Sequence, residues 1–520
     1  VPSEYPAEFN PAWLVDGDYS THWTSSMREQ GGAVTVEFDQ AYEMDRMILS
    51  TRLEDGFILP DGTQGVIGSV AKCHLTIWDE SGTEHKYNSV NTDPRLALSS
   101  AGSRSSWIRF PRTKVKKLQV SFSSYYTNYV SMSELHFYYY DSLEDDIDGL
   151  YTDALHLVLA DTVDKAKLQA LRDRLETPDP VSGEKHPNYA QLVRELDYAE
   201  SLLDGQAAEV IPVDQTLSTR GNQAGFSFTL STFQPLGVTV KAGETLTIFA
   251  GREGANVGDS LPINIIATQI HGESSTWKKS VKNGLVVGKN EITIPAVASV
   301  AEEQGGSLYL QFTGAVSAAA APISVRVSGG SPIPTLELRG VTDEAEINKR
   351  ITEYLADLKT HVESLESTHA KEHQVDGYNH TYKDASCILN LTEIGMQNML
   401  FSIPAKAAWE GLGKTADSAK LKNSIDAMEQ MIALFYQQKG LDPEADASSL
   451  HRYPDKRLNI RYATMFAGAF MYAGGEHIGI EYPESRGMMG GVPITFNSED
   501  GSNPVGQNFG WGIAHEIGHV

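Results

Sequence analysis

The sequence predicts a multidomain α+β protein. It reads as a β-sandwich over residues 1–141, a helical spacer over 142–205, a second β-sandwich over 206–335 and a mostly helical domain over 336–520. Three observations carry this. The chain has 520 residues, too many for one hydrophobic core when domains run to about 100–150 residues. Its apolar pattern switches from alternation to helical spacing, back to alternation, and again to helical spacing. Its two cysteines, Cys73 and Cys387, lie far apart, so no disulfide framework stands in for a core.

Residues 33–140 show short alternating runs, "AVTVEF", "RMILST", "CHLTIWDESGTEHKY", "SSWIRF", "LQVSFSS" and "SELHFYYY", set apart by Gly, Ser, Asp and Pro. That is the pattern of an all-β sandwich. After Asp141 the spacing becomes helical in "DIDGLYTDALHLVLA", "KAKLQALRDRL" and "YAQLVRELDYAESLL", with the breaker "ETPDPVSGEKHPN" before the last. Alternation returns in "GFSFTL", "LGVTV", "ETLTIFAG", "INIIATQI", "NEITIP", "SLYLQFTG" and "ISVRVSG", which predicts the second sandwich. Beyond Pro334 the stretches "DEAEINKRITEYLADLKTHVESLES", "CILNLTEIGMQNMLFSI" and "SAKLKNSIDAMEQMIALFYQQ" read as helices, followed by a Gly-rich region and a last helix.

Forty-two Lys plus Arg against 68 Asp plus Glu leave a formal charge of −26. Such a surface repels phosphate, so nucleic acid and anionic membranes are not expected partners. No apolar run approaches the roughly 18 residues of a membrane span, and no membrane insertion is expected. The sequence opens at Val1 without a basic-then-apolar leader, so any export signal is expected to lie outside it.

The chemistry sits at the end. His515, Glu516 and His519 form an H-E-x-x-H pattern. On a helix it stacks two imidazoles one turn apart, in reach of one Zn²⁺ at about 2.0–2.1 Å. Glu516 lies beside them as a base that takes a proton from the attacking water and passes it to the leaving amine, which implies peptide hydrolysis. Random order gives about 0.03 such patterns in a chain like this, so context must decide. His369, Glu372 and His373 in "HAKEH" form the inverted pattern H-x-x-E-H, but their flanks are polar and read as a solvated helix end. The flanks in "NFGWGIAHEIGHV" are apolar and Gly-rich. The triad is therefore expected to be buried, where a metal offsets a desolvation cost of several kcal/mol. A third ligand is required, and Glu476, Glu481 and Asp500 are the upstream candidates, none with a spacing that selects it. The strand-like "HIGIEY" from His477 and "GVPITF" from Gly491 precede the motif, where an edge strand pairs with substrate backbone. Gly490, Gly510 and Gly512 let backbone approach a cleft.

Residues 206–520 resemble the enhancin-type, mucin-degrading zinc metallopeptidases, metallopeptidase family sixty. The carriers are "SCILNLTEIGMQNMLFSIPA", "RLNIRYATMFAGAFMYAGGEHIGI" and "FGWGIAHEIGHV". The resemblance implies a zincin-type catalytic domain, His515 and His519 as zinc ligands, Glu516 as catalytic acid/base and a later Glu as third ligand. That Glu does not follow in this sequence. The catalytic domain is accordingly expected to be incomplete at its C-terminus and inactive as this chain alone. The implied substrates are O-glycosylated proteins such as mucins.

The first sandwich resembles a factor five/eight type C, or discoidin-like, domain, the fold of family thirty-two carbohydrate-binding modules. Asp16, Gly17, Asp18, Thr21 and Trp23 in "LVDGDYSTHWTSS" fall on its D-G-D-x-x-T-x-W signature. The resemblance implies a structural Ca²⁺ held by Asp16, Asp18 and Thr21, with Glu134 as a further donor; the alternative is an ion-free Asp/Gly turn. Trp23 reads as core. Tyr125, Tyr126 and Tyr129 are the aromatics available to stack on sugar, or they pack beside the closing strand. The whole reads as a secreted zinc metallopeptidase tethered to glycans. The alternatives are a glycan-binding adhesin with a catalytically incomplete peptidase domain, or a zinc peptidase without glycan dependence.

Overall fold

The computed structural model describes residues 10–18, 21–24, 31–51, 57–58, 64–65, 70–91, 105–124, 131–139, 141–178, 185–186, 188–206, 209–222, 226, 230–269, 271–272, 276–295, 297, 305–368, 375–376, 381–382, 388–446, 449–464, 471–474, 476–489 and 511–519. The chain divides into two compact units, one of residues 1–150 with 160–200, the other of 151–159 with 201–520.

The first unit is built on a six-stranded antiparallel sheet in the order Trp23–Thr24, Ser131–Tyr139, Gly31–Thr51, Ser105–Ser124, Val70–Asp79, Glu84–Asn91. The runs "AVTVEF" and "RMILST" belong to one 21-residue strand, Gly31–Thr51. It stays in the ladder through register shifts between Glu37 and Tyr42 and between Met44 and Arg46. Bulges absorb the extra residues and bend the strand, so polar residues between two apolar runs mark a bend here and not a loop. Val34, Met47, Leu49, Leu75, Ile108 and Trp23 share one core, which gives Trp23 the core role expected of it. Three helices follow: α1 (Leu143–Asp148), α2 (Lys165–Glu176) and α3 (Tyr189–Leu203).

The helical reading of "DIDGLYTDALHLVLA" holds only for α1. Asp153 accepts hydrogen bonds from the backbone N–H of Leu155 (3.0 Å), Leu157 (2.8 Å) and Val158 (2.7 Å). A short polar side chain that satisfies three local donors competes with helix formation. The segment forms a tight loop, with His156 (φ 58°) stacked on Tyr151 at 4.2 Å and on Phe249 at 4.0 Å.

In the second unit two antiparallel sheets pack face to face. One has the order Lys278–Lys282, Ile263–Thr268, Gly305–Phe312, Phe233–Lys241, Ser331–Pro332; the other Gly288–Thr293, Thr245–Arg252, Ile323–Ser328, Ile211–Pro212. Ile263, Ile265, Leu308 and Leu310 from the first meet Leu246, Ile248, Ile292 and Val325 from the second in one core. Gly306 (φ 150°) is required where these strands crowd, because a Cβ there would lie 1.8 Å from the Thr268 carbonyl oxygen.

The remainder forms a mixed sheet in the order Thr335–Glu337, Thr392–Gly395, Met399–Ile403, Leu458–Thr464, His477–Ile480, Met471–Gly474. His271–Gly272 also pairs with Leu458–Thr464. The stretch "CILNLTEIGMQNMLFSI" is thus two strands and not a helix. A short apolar run buried on both faces has no period that separates strand from helix. Here Ile394, Phe401, Ile403 and Ile460 face the helices, while Leu400 faces Phe233, Ile266 and Tyr309 of the sandwich. The domain expected to be mostly helical is therefore α+β. Its helices are α4 (Glu344–Thr368), α5 (Ala405–Gly411), α6 (Ser418–Gln438), α7 (Tyr482–Met488) and α8 (Trp511–Gly518). Along α4, Ile351, Leu355, Leu358, Val362 and Leu365 are buried at helical spacing, and Asp417 caps α6 by accepting from the Lys420 N–H.

Candidate metal centre

The last helix carries His515 and Glu516, and His519 follows its end in a turn, donating its N–H to the Glu516 carbonyl at 3.2 Å. Ile513 and Ile517 of α8 are buried in the core of the mixed sheet and its helices, and α8 packs against α6 and the Met471–Gly474 strand. Gly518 fits beside Phe435, whose ring is 3.8 Å from where a Cβ would stand. His515 and His519 each follow a buried Ile by two residues, about 200° around the helix. They are exposed, and Glu516 is half-buried. The expectation of a buried triad is corrected by this: the apolar flank buries one face and turns the histidines to the other.

His515 Nε2 and His519 Nε2 lie 3.0 Å apart, with the rings perpendicular and their centroids separated by 4.6 Å. Two nitrogens bound tetrahedrally at about 2.0–2.1 Å stand about 3.3 Å from each other. The pair therefore fits one zinc ion with a shift of a few tenths of an ångström. Among the described residues no group of three or more His, Cys, Asp or Glu is gathered as a metal site, so neither Glu476 nor Glu481 joins the two histidines. Glu476, at φ 72°, pairs with Lys278, and Glu481 is fully buried at the start of α7. Asp500, "GVPITF", Gly490, Gly510, Cys387 and the inverted motif His369, Glu372 and His373 lie outside the described residues.

The expectation that "HIGIEY" supplies an edge strand is also corrected. His477–Ile480 runs inside the sheet, and the strand at the end of the described ladder is Met471–Gly474, antiparallel to it. The signal was in "MYAGGEHIGI", two apolar runs punctuated by Gly-Gly, a hairpin pattern.

The Asp16 loop closes on itself. Asp16 accepts from the Asp18 N–H at 2.9 Å and from Thr21 Oγ1 at 3.0 Å, and Thr21 Oγ1 also reaches the Asp18 carbonyl at 2.9 Å. Gly17, at φ 77°, supplies the left-handed turn. Glu134, buried on the Ser131–Tyr139 strand, meets this loop, bonding the Asp16 carboxyl and the N–H groups of Gly17 and Asp18. Its Oε1 has no hydrogen-bond partner. Burial and the Asp16 carboxylate push the Glu134 carboxyl up to about 8. Two carboxyl groups are brought together here, but among the described residues Asp16, Asp18 and Glu134 are not gathered as a metal site. Tyr125, Tyr126 and Tyr129 lie outside the described residues.

No protein-family model and no curated protein sequence matches this chain. Among solved structures it is similar to the CBM32-1, CBM32-2 and M60 catalytic domains of Clostridium perfringens ZmpB, at 22% identity over 99% of this chain and 47% of that one, with a TM-score of 0.47. It is similar to the M60 catalytic domain of Clostridium perfringens ZmpC in complex with the sialyl T antigen, at 20% identity over 60% of this chain and 52% of that one (TM-score 0.42). It is also similar to a metallopeptidase from Bacteroides thetaiotaomicron, at 16% identity over 68% and 49% (TM-score 0.38). The chain spans about half the length of each. No helix among the described residues is long and apolar enough to cross a membrane.

Proposed function

We propose that this chain carries the zinc-binding helix of a secreted metallopeptidase that cleaves O-glycosylated, mucin-type proteins, held to glycans by a discoidin-like module over residues 1–141. The observation that supports it most is the paired Nε2 atoms of His515 and His519, exposed and 3.0 Å apart at the end of α8, with Glu516 next to His515 in the chain. His515 and His519 would hold the metal. When bound, zinc supplies Lewis acidity that activates water at neutral pH. Glu516 would take a proton from the attacking water as its oxygen bonds the peptide carbon, and return a proton to the amine nitrogen as the C–N bond breaks. Residues 206–335 precede the catalytic part over 336–520 in this arrangement, with 142–205 as spacer. The substrate class rests on the sequence resemblance of the segments around Cys387, Arg457 and His515. Metal analysis with a mucin assay tests the reading. This chain is expected to hold zinc only weakly, through two imidazoles, and to lose it in His515→Ala and His519→Ala, and the complete peptidase is expected to cut glycosylated protein and spare its deglycosylated form. Glycan binding without zinc would favour an adhesin, and equal cutting of both forms would remove the glycan dependence.

The same proposal assigns Ca²⁺ to Asp16, Asp18, Thr21 and Glu134, and stability against pH tests it. A carboxyl whose folded value is raised binds more protons folded than unfolded, so its contribution is present below the ordinary carboxyl range and is lost as pH rises toward about 8. In EDTA the melting temperature of the first unit is expected to fall from pH 5 to pH 8, and Ca²⁺ is expected to restore it by binding the native state alone. Melts at pH 8 that are identical in EDTA and Ca²⁺ would remove the ion.

A further inference from the structure

The hairpin of Met471–Gly474 and His477–Ile480 places its outer strand beside α8. Met471 and Ala473 pack on the core that holds Ile513 and Ile517. Among the described residues the outer strand ends the ladder, the position from which a strand can pair with an extended peptide.

The hairpin is held from the sandwich side. Glu476 sits at φ 72°, a conformation that costs a non-Gly residue free energy unless its surroundings enforce it. Its carboxylate pairs with Lys278 Nζ, 198 residues away in sequence. The neighbouring Trp277 ring meets the buried His477 ring edge-on at 4.8 Å. His477 Nε2 in turn shares a 2.6 Å hydrogen bond with Tyr472 Oη across the hairpin. The Tyr472 ring lies over Gly479, where a Cβ would stand 2.2 Å from its Cε1, so only glycine admits it. Trp277 is itself braced: the Arg461 guanidinium lies 4.6 Å from its ring centroid and donates to Thr268 Oγ1 at 2.9 Å.

We propose that Trp277 and Lys278 are positioning residues, through which the second sandwich fixes the hairpin so that the Met471–Gly474 backbone is preset to receive an extended peptide beside His515 and His519. This rests on α8 being the metal helix. A docking strand held in place beforehand lowers the ordering cost of binding, so the clamp should act on substrate affinity and leave the chemical step alone.

Hydrogen exchange of the intact chain, read at residues 471–474 and 477–480, tests the clamp, and steady-state cleavage with zinc analysis tests its consequence. Lys278→Met is expected to lower protection about threefold, and Trp277→Leu, which also opens a core gap, about tenfold. In the complete peptidase, Lys278→Met is expected to raise KM about threefold with kcat and zinc content unchanged; Lys278→Arg is expected to restore both readouts. Unchanged protection in Lys278→Met overturns the clamp, and a loss confined to kcat overturns its positioning role. If protection falls in Lys278→Met but no variant or parent ever holds zinc, the clamp stands and the metallopeptidase reading fails.

Discussion

In the complete peptidase, with its third zinc ligand present, replacing Glu516 by Gln is expected to reduce peptide cleavage by about 10²–10⁴-fold, the usual value of general acid/base work, with zinc content unchanged. Glu516 is half-buried on α8, whose seat is made by Ile513 and Ile517. Gln keeps the side chain's size and polarity, so the helix and the two imidazoles are left in place while the proton acceptor is removed. His515→Ala provides the contrast, because losing one of two nitrogens 3.0 Å apart is expected to abolish zinc retention and cleavage together. The measurements are zinc per chain after dialysis and the initial rate on a mucin substrate. A Glu516→Gln peptidase working within tenfold of the parent would remove Glu516 from the mechanism, whatever the metal content.

The parts of this protein that were legible in the sequence are those where one face of an element is apolar and the other polar. Helices α4 and α6 match their stretches closely because their buried positions recur at helical spacing. Strands buried on both faces were legible only in part: Gly305–Phe312 and His477–Ile480 were read as strands, while Met399–Ile403 was not. Met399–Ile403 is buried at every position, so its composition is compatible with helix or strand, and its pairing with Thr392–Gly395 and Leu458–Thr464 decides. Asp153 and the bulges near Tyr42 show two further limits, since both turn on local hydrogen bonds and register that periodicity does not record. At the candidate site, spacing alone placed His515 and His519 together, because four residues are one helical turn. Their exposure was misread, since apolar neighbours bury only the helix face they occupy. Trp277 and Lys278 carried no signal at all; they meet Glu476 and His477 only through tertiary packing across about two hundred residues.

Arg457→Met is expected to destabilise the second unit by about 3 kcal/mol, at the lower end for breaking a buried ion pair. Arg457 is fully buried where three segments meet. Its Nη1 donates to Glu337 Oε1 at 2.9 Å and Oε2 at 3.0 Å, and its Nη2 to the Phe233 carbonyl at 2.6 Å. Its backbone exchanges hydrogen bonds of 2.9 and 2.8 Å with Ser231. Gly395 belongs to the same arrangement, because a Cβ there would stand 2.5 Å from the Glu337 carboxylate oxygens. Met fills much of the arginine's volume but leaves Glu337 without its cation and the Phe233 carbonyl without this donor. Glu337 is 27% exposed, so water recovers part of the loss, which is why the lower figure is chosen. If the uncompensated carboxylate is the main cost, Arg457→Met with Glu337→Gln should be more stable than Arg457→Met alone. Urea unfolding of the three proteins measures this. A single variant within about 1 kcal/mol of the parent would mean that the Glu337–Arg457 pair contributes little to joining the sandwich to the mixed sheet.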